Sequence, residues 1–241
     1  MKALRYLTSL LALAAALPLQ AQQRTADNTL TAKERKQGWV LLFDGKDLAG
    51  WKTVREGKPV QPGQGWSVAD GVISLDAESK TGDIVTNDKY RNFVLKVDFR
   101  IFEQSNSGIK YYINDDGKGK IVGLGCEYQI IDDWNNPDAR LADGKRVTAA
   151  LYDVFTLQSP SDLHMDGFNT AMIVVKDGRV EHWLNGRKVL EYTKGSPEWK
   201  AAVAASKFRD DPGFAARDEG YILLQDHHSR MEFKNIKIKV L

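Results

Sequence analysis

The protein has 241 residues, and its 34 Lys and Arg nearly balance its 32 Asp and Glu, which leaves a net charge of +2 at pH 7. A chain so close to neutral is poorly suited to bind nucleic acid or an anionic membrane surface. The single cysteine, Cys126, excludes an intrachain disulfide, so a hydrophobic core must stabilise the fold. The length is sufficient for one domain with such a core.

The N-terminus has the pattern of a secretory signal peptide. Basic residues near the start precede an apolar run over 7–19, and the small residue Ala21 marks a suitable cleavage point. The run is too short to span a membrane, and no cysteine follows it that could carry a lipid anchor. We therefore predict a signal peptide over 1–21, a flexible leader over 22–37, a single domain over 38–241 and a periplasmic or secreted location.

Short apolar runs separated by turn signals make up most of the remaining chain. Asp70-Gly71, Asp177-Gly178 and Asn185-Gly186 are typical of hairpin turns. A Ser-Pro start predicts one helix over 196–209. The pattern predicts an all-β fold, a jelly-roll sandwich of two antiparallel sheets with one short helix. The predicted strands lie at 38–43, 65–68, 72–75, 84–86, 93–102, 108–113, 125–133, 151–157, 171–175, 180–184, 189–192, 221–225 and 231–240.

Two of these strands carry polar residues at alternate positions. In the strand 125–133, Glu127 and Gln129 share one face, and the residues between them face the core. Near the end of a later strand, Gln225 and His227 share a face in the same way. A buried carboxylate costs free energy unless it has a partner, so Glu127 either forms a structural ion pair or lines a cleft. We predict that the two polar faces meet in one groove.

Other polar residues have both a structural and a functional interpretation. Trp134 lies in the long polar loop 132–148, where it could be a packing residue or a sugar platform at the edge of the groove. His182 fits a hydrogen-bonded structural role or a catalytic one. His227 is preferred over His228 as a catalytic residue because it shares the face of the polar groove.

The acidic residues limit the chemistry. Ordinary glycoside hydrolysis uses two carboxylates, and the face of Glu127 continues with Gln129 and Ile131 instead of a second acid. No HExxH or CxxC motif supports a zinc site. Carboxylates that could bind a hard divalent cation are nevertheless available, and the candidates are Glu127, Asp132 and Asp226.

A series of short motifs in a fixed order carries a family resemblance. In chain order they are LLFDGKDLAGW, WSVADGVI, NSGIKYY, GCEYQIIDD, NPDAR, ALYDVF, VEHWLNG, ILLQDHH and MEFKNIKIKVL. Together they make residues 38–241 resemble the 3-keto-disaccharide hydrolase family of exported bacterial domains. The family's members are described as 3-keto-glucoside-1,2-lyases and 3-keto-2-hydroxy-glucal hydratases. The resemblance implies a concanavalin A/laminarinase-like jelly roll.

The resemblance also implies a reaction that a single base can perform. A ketone at C3 of a sugar acidifies the C2 proton, whose removal leads to loss of the C1 substituent, and water can then add to the product. Glu127 and His227 would act as base and acid, in an order that stays open. Lys110 or a divalent metal ion would stabilise the enolate, and no other cofactor is implied.

The implied partner is an oligosaccharide or glycoside substrate. A carbohydrate-binding module without turnover is the alternative, because jelly rolls often bind sugars and one remaining acid fits a lost active site. The predicted substrate-binding residues are Asn106, Tyr111, Gln129, Asp132, Trp134, Asp153, His182 and Gln225.

Overall fold

A computed structural model describes residues 26–241 except 61, 62, 64, 80, 117–119 and 123. The predicted signal peptide lies outside the described residues. Two α-helices are described, α1 (Ala32–Lys36) and α2 (Pro197–Ala204), and neither is long and apolar enough to cross a membrane. The strands of the described chain are β1 (Trp39–Leu41), β2 (Trp51–Thr53), β3 (Trp66–Ala69), β4 (Val72–Leu75), β5 (Ile84–Tyr90), β6 (Phe93–Arg100), β7 (Asn106–Asp115), β8 (Ile121–Val122), β9 (Cys126–Ile131), β10 (Asn169–Lys176), β11 (Arg179–Leu184), β12 (Arg187–Thr193), β13 (Gly220–Leu224) and β14 (Met231–Val240).

The strands form two antiparallel sheets. The first has the order β12-β11-β10-β6-β14-β4-β3, and β1 also pairs with β14. The second has the order β2-β5-β13-β7-β8, and β9 pairs with the same edge of β7 as β8 does. Two short 3-10 helices, Pro137–Arg140 and Ala142–Gly144, lie in the loop after β9. This architecture confirms the predicted all-β jelly-roll sandwich.

The core lies between the two sheets because each strand turns its apolar side chains inwards. In β6 every second residue from Phe93 to Phe99 is buried, and the residues between them are partly exposed. From the second sheet, Tyr128 and Ile130 of β9 enter the same core. The residues between these core residues in β9, and those on the same face of β7, therefore point to the outer face of the second sheet, where the candidate site lies.

The described part of the predicted leader, residues 26–37, contains α1 and contacts β14. Thr31 and Glu34 form a capping box at the start of α1, and Lys237 of β14 forms an ion pair with Glu34. Asn28 is buried, and its backbone N–H donates to Asn235 Oδ1 at 2.6 Å. The leader is polar in composition, but its polar residues form hydrogen bonds and ion pairs with residues of β14. The hydrophobicity of the sequence alone does not predict these contacts.

The second helix is shorter than the sequence predicts. It ends at Ala204 and not at residue 209. Just beyond it, the backbone N–H of Lys207 donates to Asp153 Oδ2 at 2.8 Å, a tertiary bond that takes the place of a further helical one. Residues 205–211 therefore leave the helix and reach the outer face of the second sheet, where Lys207 and Asp211 line a pocket.

Candidate active site

A pocket of about 380 Å³ opens on the outer face of the second sheet. This volume is within the range of small-molecule sites, roughly 300–1,000 Å³. Residues of β7, β9 and the segment after β13 contribute to it, together with residues from the loop after α2. The lining residues are Asn106, Lys110, Leu124, Gly125, Glu127, Gln129, Tyr152, Lys207, Phe208, Asp211, Gln225 and His227. The two polar strand faces identified in the sequence thus meet in one pocket.

The register of β7 and β9 places a cation directly beside the predicted base. Lys110 is the cross-strand partner of Glu127, so both side chains leave the sheet on the same face. Lys110 Nζ lies 3.4 Å from Glu127 Oε2. Both side chains are largely buried, with exposed fractions of 13 % for Lys110 and 9 % for Glu127. The sequence predicts that Lys110 belongs to the site only if it shares this face, and the structure shows that it does.

A glycine leaves the space that the Glu127 carboxylate occupies. Gly108 lies one position along the same face of β7, opposite Gln129. A Cβ atom at residue 108 would lie 2.5 Å from Glu127 Oε1 and 2.8 Å from Glu127 Cγ. Real Cβ contacts essentially never approach so closely, so any side chain at this position would displace the carboxylate. The glycine in the NSG motif therefore sets the position of Glu127.

The surroundings of Glu127 make it a basic carboxylate. Burial raises its pKa above the ordinary value, and the positive charges of Lys110 and Lys207 oppose that shift. In the amide orientation that satisfies its neighbours, Gln129 donates to Glu127 Oε1 at 3.0 Å. The negative charge of Asp83 adds to the rise in the pKa of Glu127. The site therefore contains an ionisable carboxylate, poor in solvent, beside a fixed ammonium group.

The segment after β13 contributes the second polar face. The backbone N–H of Gln225 donates to the Gly108 carbonyl at 3.0 Å, which continues the pairing of β13 with β7 beyond the strand end. Gln225 Oε1 is buried and has no hydrogen-bond partner in the structure, so it is available to accept a hydrogen bond from a ligand hydroxyl. His227 lines the pocket, whereas His228 Nδ1 lies 3.0 Å from the Ser79 carbonyl oxygen.

The loop after α2 brings residues that local sequence patterns do not reveal. Lys207, Phe208 and Asp211 line the pocket, together with Tyr152 from the segment between β9 and β10. Lys207 Nζ lies 4.1 Å from the centroid of the Tyr152 ring, a cation–π contact. Burial lowers the pKa of Lys207, and the charges of Glu127 and Asp153 oppose that shift. No local motif marks this loop, because its contacts depend on residues more than fifty positions away.

Comparison with known proteins gives the family. Residues 38–239 match the model of the 3-keto-alpha-glucoside-1,2-lyase-like domain family. The chain belongs to this family. A 3-keto-disaccharide hydrolase of Bacteroides thetaiotaomicron is 32 % identical over 231 residues, which cover 85 % of this chain and 79 % of that protein.

Solved structures of similar chains support the same assignment. A Parabacteroides distasonis crystal structure, described as a candidate glycosyl hydrolase, has a TM-score of 0.78 and 37 % identity over 89 % of this chain and 99 % of its own. A second structure from that organism has a TM-score of 0.61 and 25 % identity, covering 84 % of this chain and 99 % of its own. The resemblance identified in the sequence is confirmed.

Two residues predicted to bind substrate lie in the core of this family member. The Tyr111 hydroxyl lies 2.7 Å from His182 Nε2 and 2.6 Å from the Tyr192 hydroxyl, and all three side chains lie between the sheets. The prediction for Tyr111 and His182 is therefore corrected. Adjacent residues of a strand point to opposite faces, so Lys110 and Tyr111 could not both enter the pocket. The structural interpretation of His182 agrees with this placement.

Three other predicted site residues, Asp132, Trp134 and Asp153, are not among the residues that line this pocket. Asp132 accepts hydrogen bonds from the backbone N–H groups of Gln104 and Trp134, at 2.9 and 3.0 Å, and so fixes the start of its loop. Trp134 is 51 % exposed. Asp153 forms an ion pair with Arg146 and accepts a hydrogen bond from the backbone N–H of Lys207, in the loop after α2. The two carboxylates show that acids at strand ends and in turns bond to nearby groups of the protein, which sequence spacing does not distinguish from ligand contacts.

The family member also does not bring the predicted metal ligands together. Asp226 Oδ2 accepts from Ser79 Oγ at 2.9 Å and from the backbone N–H of Gly82 at 3.0 Å, and its side chain is fully buried. The position next to the Glu127 carboxylate is taken by Lys110. Over residues 26–241 with the gaps given above, no group of three or more His, Cys, Asp or Glu side chains could hold a metal ion. Within the described residues, the predicted ligands Glu127, Asp132 and Asp226 therefore do not form such a group.

Proposed function

We propose that this protein cleaves 3-keto-glucosides by elimination across C1 and C2 and hydrates the resulting 3-keto-2-hydroxy-glucal, which together amount to glycoside hydrolysis. The observation that carries the proposal is the single buried carboxylate, Glu127, held at 3.4 Å from Lys110 in a pocket of sugar-binding size. The relative from Bacteroides thetaiotaomicron, which is named a 3-keto-disaccharide hydrolase, supports the substrate class.

Glu127 acts as the base. The C2–H bond breaks, its electron pair forms the C2–C3 double bond of an enolate, and the proton moves to a Glu127 oxygen. Burial raises the pKa of Glu127, which makes the carboxylate a stronger base than an exposed one. Lys110 keeps it ionised at the start of the reaction, because a nearby positive charge favours the charged form of a carboxyl group.

His227 acts as the acid. As the C1–O bond breaks, the enolate pair moves to form the C1–C2 double bond, the C3 ketone reforms, and the leaving oxygen takes a proton from His227. Water then adds at C1 and a proton returns to C2, which gives the free 3-keto sugar. His227 is the histidine that lines the pocket, and its exposure allows it to exchange protons with solvent.

A second carboxylate at the pocket provides the competing mechanism. Asp211 lines the pocket, and its Oδ1 accepts from the backbone N–H of Gly213 at 2.9 Å within its own loop. If Asp211 and Glu127 acted as the pair of an ordinary glycosidase, the ketone would be unnecessary. The elimination mechanism requires the ketone, so a comparison of substrates with and without the ketone distinguishes the two mechanisms.

The experiment compares 3-keto-lactose with lactose at equal concentration. We expect cleavage of the keto sugar only, and loss of that activity in Glu127→Gln but not in Asp211→Asn. Equal cleavage of both sugars would refute elimination. Binding of the sugars without any product would support the non-catalytic binding module instead.

We further propose that the protein works outside the cytoplasm. The proposal is supported by the basic start, the apolar run over 7–19 and the small residue Ala21. Expression of the full chain followed by fractionation and N-terminal sequencing tests it. A mature chain that begins near residue 22 in the periplasm or medium is expected, and an uncleaved cytoplasmic chain would contradict it.

A further inference from the structure

We infer that Lys207 is a catalytic residue whose ammonium group stabilises the enolate oxygen during the reaction. This inference rests on the proposed function and adds a residue that neither the sequence motifs nor the family comparisons indicate. Three observations lead to it: the engagement of Lys110, the availability of Lys207, and a partly buried polar network that holds the loop of Lys207 in place.

Lys110 is already engaged. Its ammonium lies 3.4 Å from Glu127 Oε2, and its positive charge also lowers the pKa of Asp83, against the larger effect of burial. When the C2 proton moves to Glu127, negative charge moves to the oxygen at C3, about two bonds further along the substrate. A cation fixed beside the base is poorly placed to stabilise the negative charge on the C3 oxygen. A second cation in the pocket could stabilise that charge.

Lys207 is available for that role. Its ammonium contacts the faces of the Tyr152 and Phe208 rings, at 4.1 and 5.1 Å from their centroids. In the described part of the chain it has no ion-pair partner, so its three N–H donors are not committed to a carboxylate. It lines the same pocket as Glu127, and the two charges lie close enough that each shifts the pKa of the other.

Hydrogen bonds and ion pairs fix the position of Lys207, although it lies in a loop. Its backbone N–H donates to Asp153 Oδ2 at 2.8 Å, while Asp153 Oδ1 accepts from Arg146 Nε at 2.8 Å. Arg146 also pairs with Asp138, whose other oxygen accepts from the Tyr152 hydroxyl at 3.2 Å. Asp153 itself has a φ of +63°, a left-handed conformation that is unfavourable for a residue other than glycine. The network therefore fixes both the backbone of Lys207 and the ring beneath its ammonium.

A stack of aromatic rings holds the same loop from the other side. Phe208 stacks on Phe214 at 4.0 Å between centroids, Phe214 stacks on Trp199 at 5.8 Å, and Trp199 stacks on Tyr192 at 5.2 Å. The stack runs from the sandwich core to the residue next to Lys207. A loop fixed at both sides can present an ammonium group without reorganisation when charge develops, which is the condition for effective electrostatic catalysis.

The steps balance without any further reactant. Glu127 takes the C2 proton, the C2–H pair becomes the C2–C3 bond, and the carbonyl pair moves to the C3 oxygen, which accepts hydrogen bonds from the Lys207 ammonium. When the C1–O bond breaks, the pair returns from the oxygen and Lys207 remains protonated. The lysine is thus neither consumed nor deprotonated.

The experiment replaces the lysine and then restores it chemically. Lys207→Cys, treated with 2-bromoethylamine, gains a side chain with an ammonium group at nearly the length of lysine. The native Cys126 will not react, because it is fully buried and burial raises the pKa of its thiol to about 12. Lys200→Cys serves as the matched control, since Lys200 is an exposed residue of α2 away from the pocket.

We expect Lys207→Cys to lower kcat for 3-keto-lactose by about 100- to 1,000-fold with little change in KM, as for loss of one oxyanion donor. Aminoethylation should restore most of kcat, and the control should keep wild-type kcat before and after treatment. A variant that keeps its kcat, or one that raises only KM, would overturn the inference. A folded variant that treatment does not rescue would also overturn it. If wild-type protein shows no activity on the keto sugar, the proposed function fails first, and that result is distinct from all of these.

Discussion

Gly108→Ala tests whether the position of the Glu127 carboxylate controls activity. The added Cβ would lie 2.5 Å from Glu127 Oε1, and ordinary contact begins at 3.4 Å, so the carboxylate must move by about 0.9 Å. That movement would break the geometry with Lys110 and with the Gln129 amide. A misplacement of about 1 Å at a reacting group can cost roughly 100-fold in rate, which is the loss in kcat/KM that we expect.

The fold should tolerate this substitution. Gly108 does not have the left-handed backbone that only glycine adopts readily, and the atoms that must move, Cγ, Cδ and Oε1 of Glu127, all belong to one side chain and not to the backbone. Replacing glycine with alanine also lowers the conformational entropy of the unfolded chain. This stabilises the folded state by about 0.4–1 kcal/mol and partly offsets the strain. We therefore expect a Tm within a few degrees of wild type.

The assay is cleavage of 3-keto-lactose followed by product chromatography. Gly167→Ala is the matched control, because a Cβ at residue 167 would meet nothing within 4 Å. A Gly108→Ala protein with wild-type kcat/KM would refute the view that the carboxylate over Gly108 is the base.

Three further predictions concern titration and the loop. Because burial raises the pKa of Glu127 above 4.5, the acidic limb of the pH profile of kcat/KM should lie above pH 4.5. Glu127→Gln should lower the rate by about 10²–10⁴ and should melt at or above the wild-type temperature at pH 7. This gain in melting temperature should disappear below pH 4.5, where the wild-type carboxyl group is also neutral. Burial lowers the pKa of His182 from 6.5 to about 4, so up to about 3 kcal/mol of the free energy of unfolding is present above pH 6.5 and is lost as the pH falls from 6.5 through 4. The melting temperature of His182→Gln should therefore depend less on pH in this range than that of the wild type. Equal slopes for the two proteins would contradict this. Asp153→Asn should lower kcat about tenfold by loosening Lys207, as measured by steady-state kinetics, and a change in KM alone would argue against that role.

Strand alternation explains why part of the site can be predicted from the sequence. A period of two residues places Glu127 with Gln129 and Gln225 with His227, and all four line the pocket. The same rule, applied to neighbours on β7, excludes Tyr111 from the pocket because Lys110 takes that face. The NSGIKYY motif contains residues of both faces, so membership of the motif does not by itself identify a functional residue.

Contacts distant in sequence explain what could not be predicted. Lys207 reaches the pocket because its backbone bonds to Asp153, 54 residues earlier, and no local pattern encodes that bond. The composition of its segment favours a longer helix, and the tertiary contact overrides that preference. Asp132 shows a partly local case: its carboxylate accepts from the backbone N–H of Trp134, two residues later, and it is not among the residues that line the pocket.

The central claim is that cleavage begins with removal of the C2 proton, and the most direct test is the hydrogen at C2 of the product formed in D2O. Mass spectrometry and NMR of the 3-keto sugar released from 3-keto-lactose measure it, with Glu127→Gln and enzyme-free samples as background. We predict one solvent deuteron at C2 for each molecule cleaved by the wild-type protein. Product that keeps its original hydrogen at C2, together with no primary isotope effect on kcat for 3-keto-lactose deuterated at C2, would show displacement at C1 and would contradict the elimination mechanism.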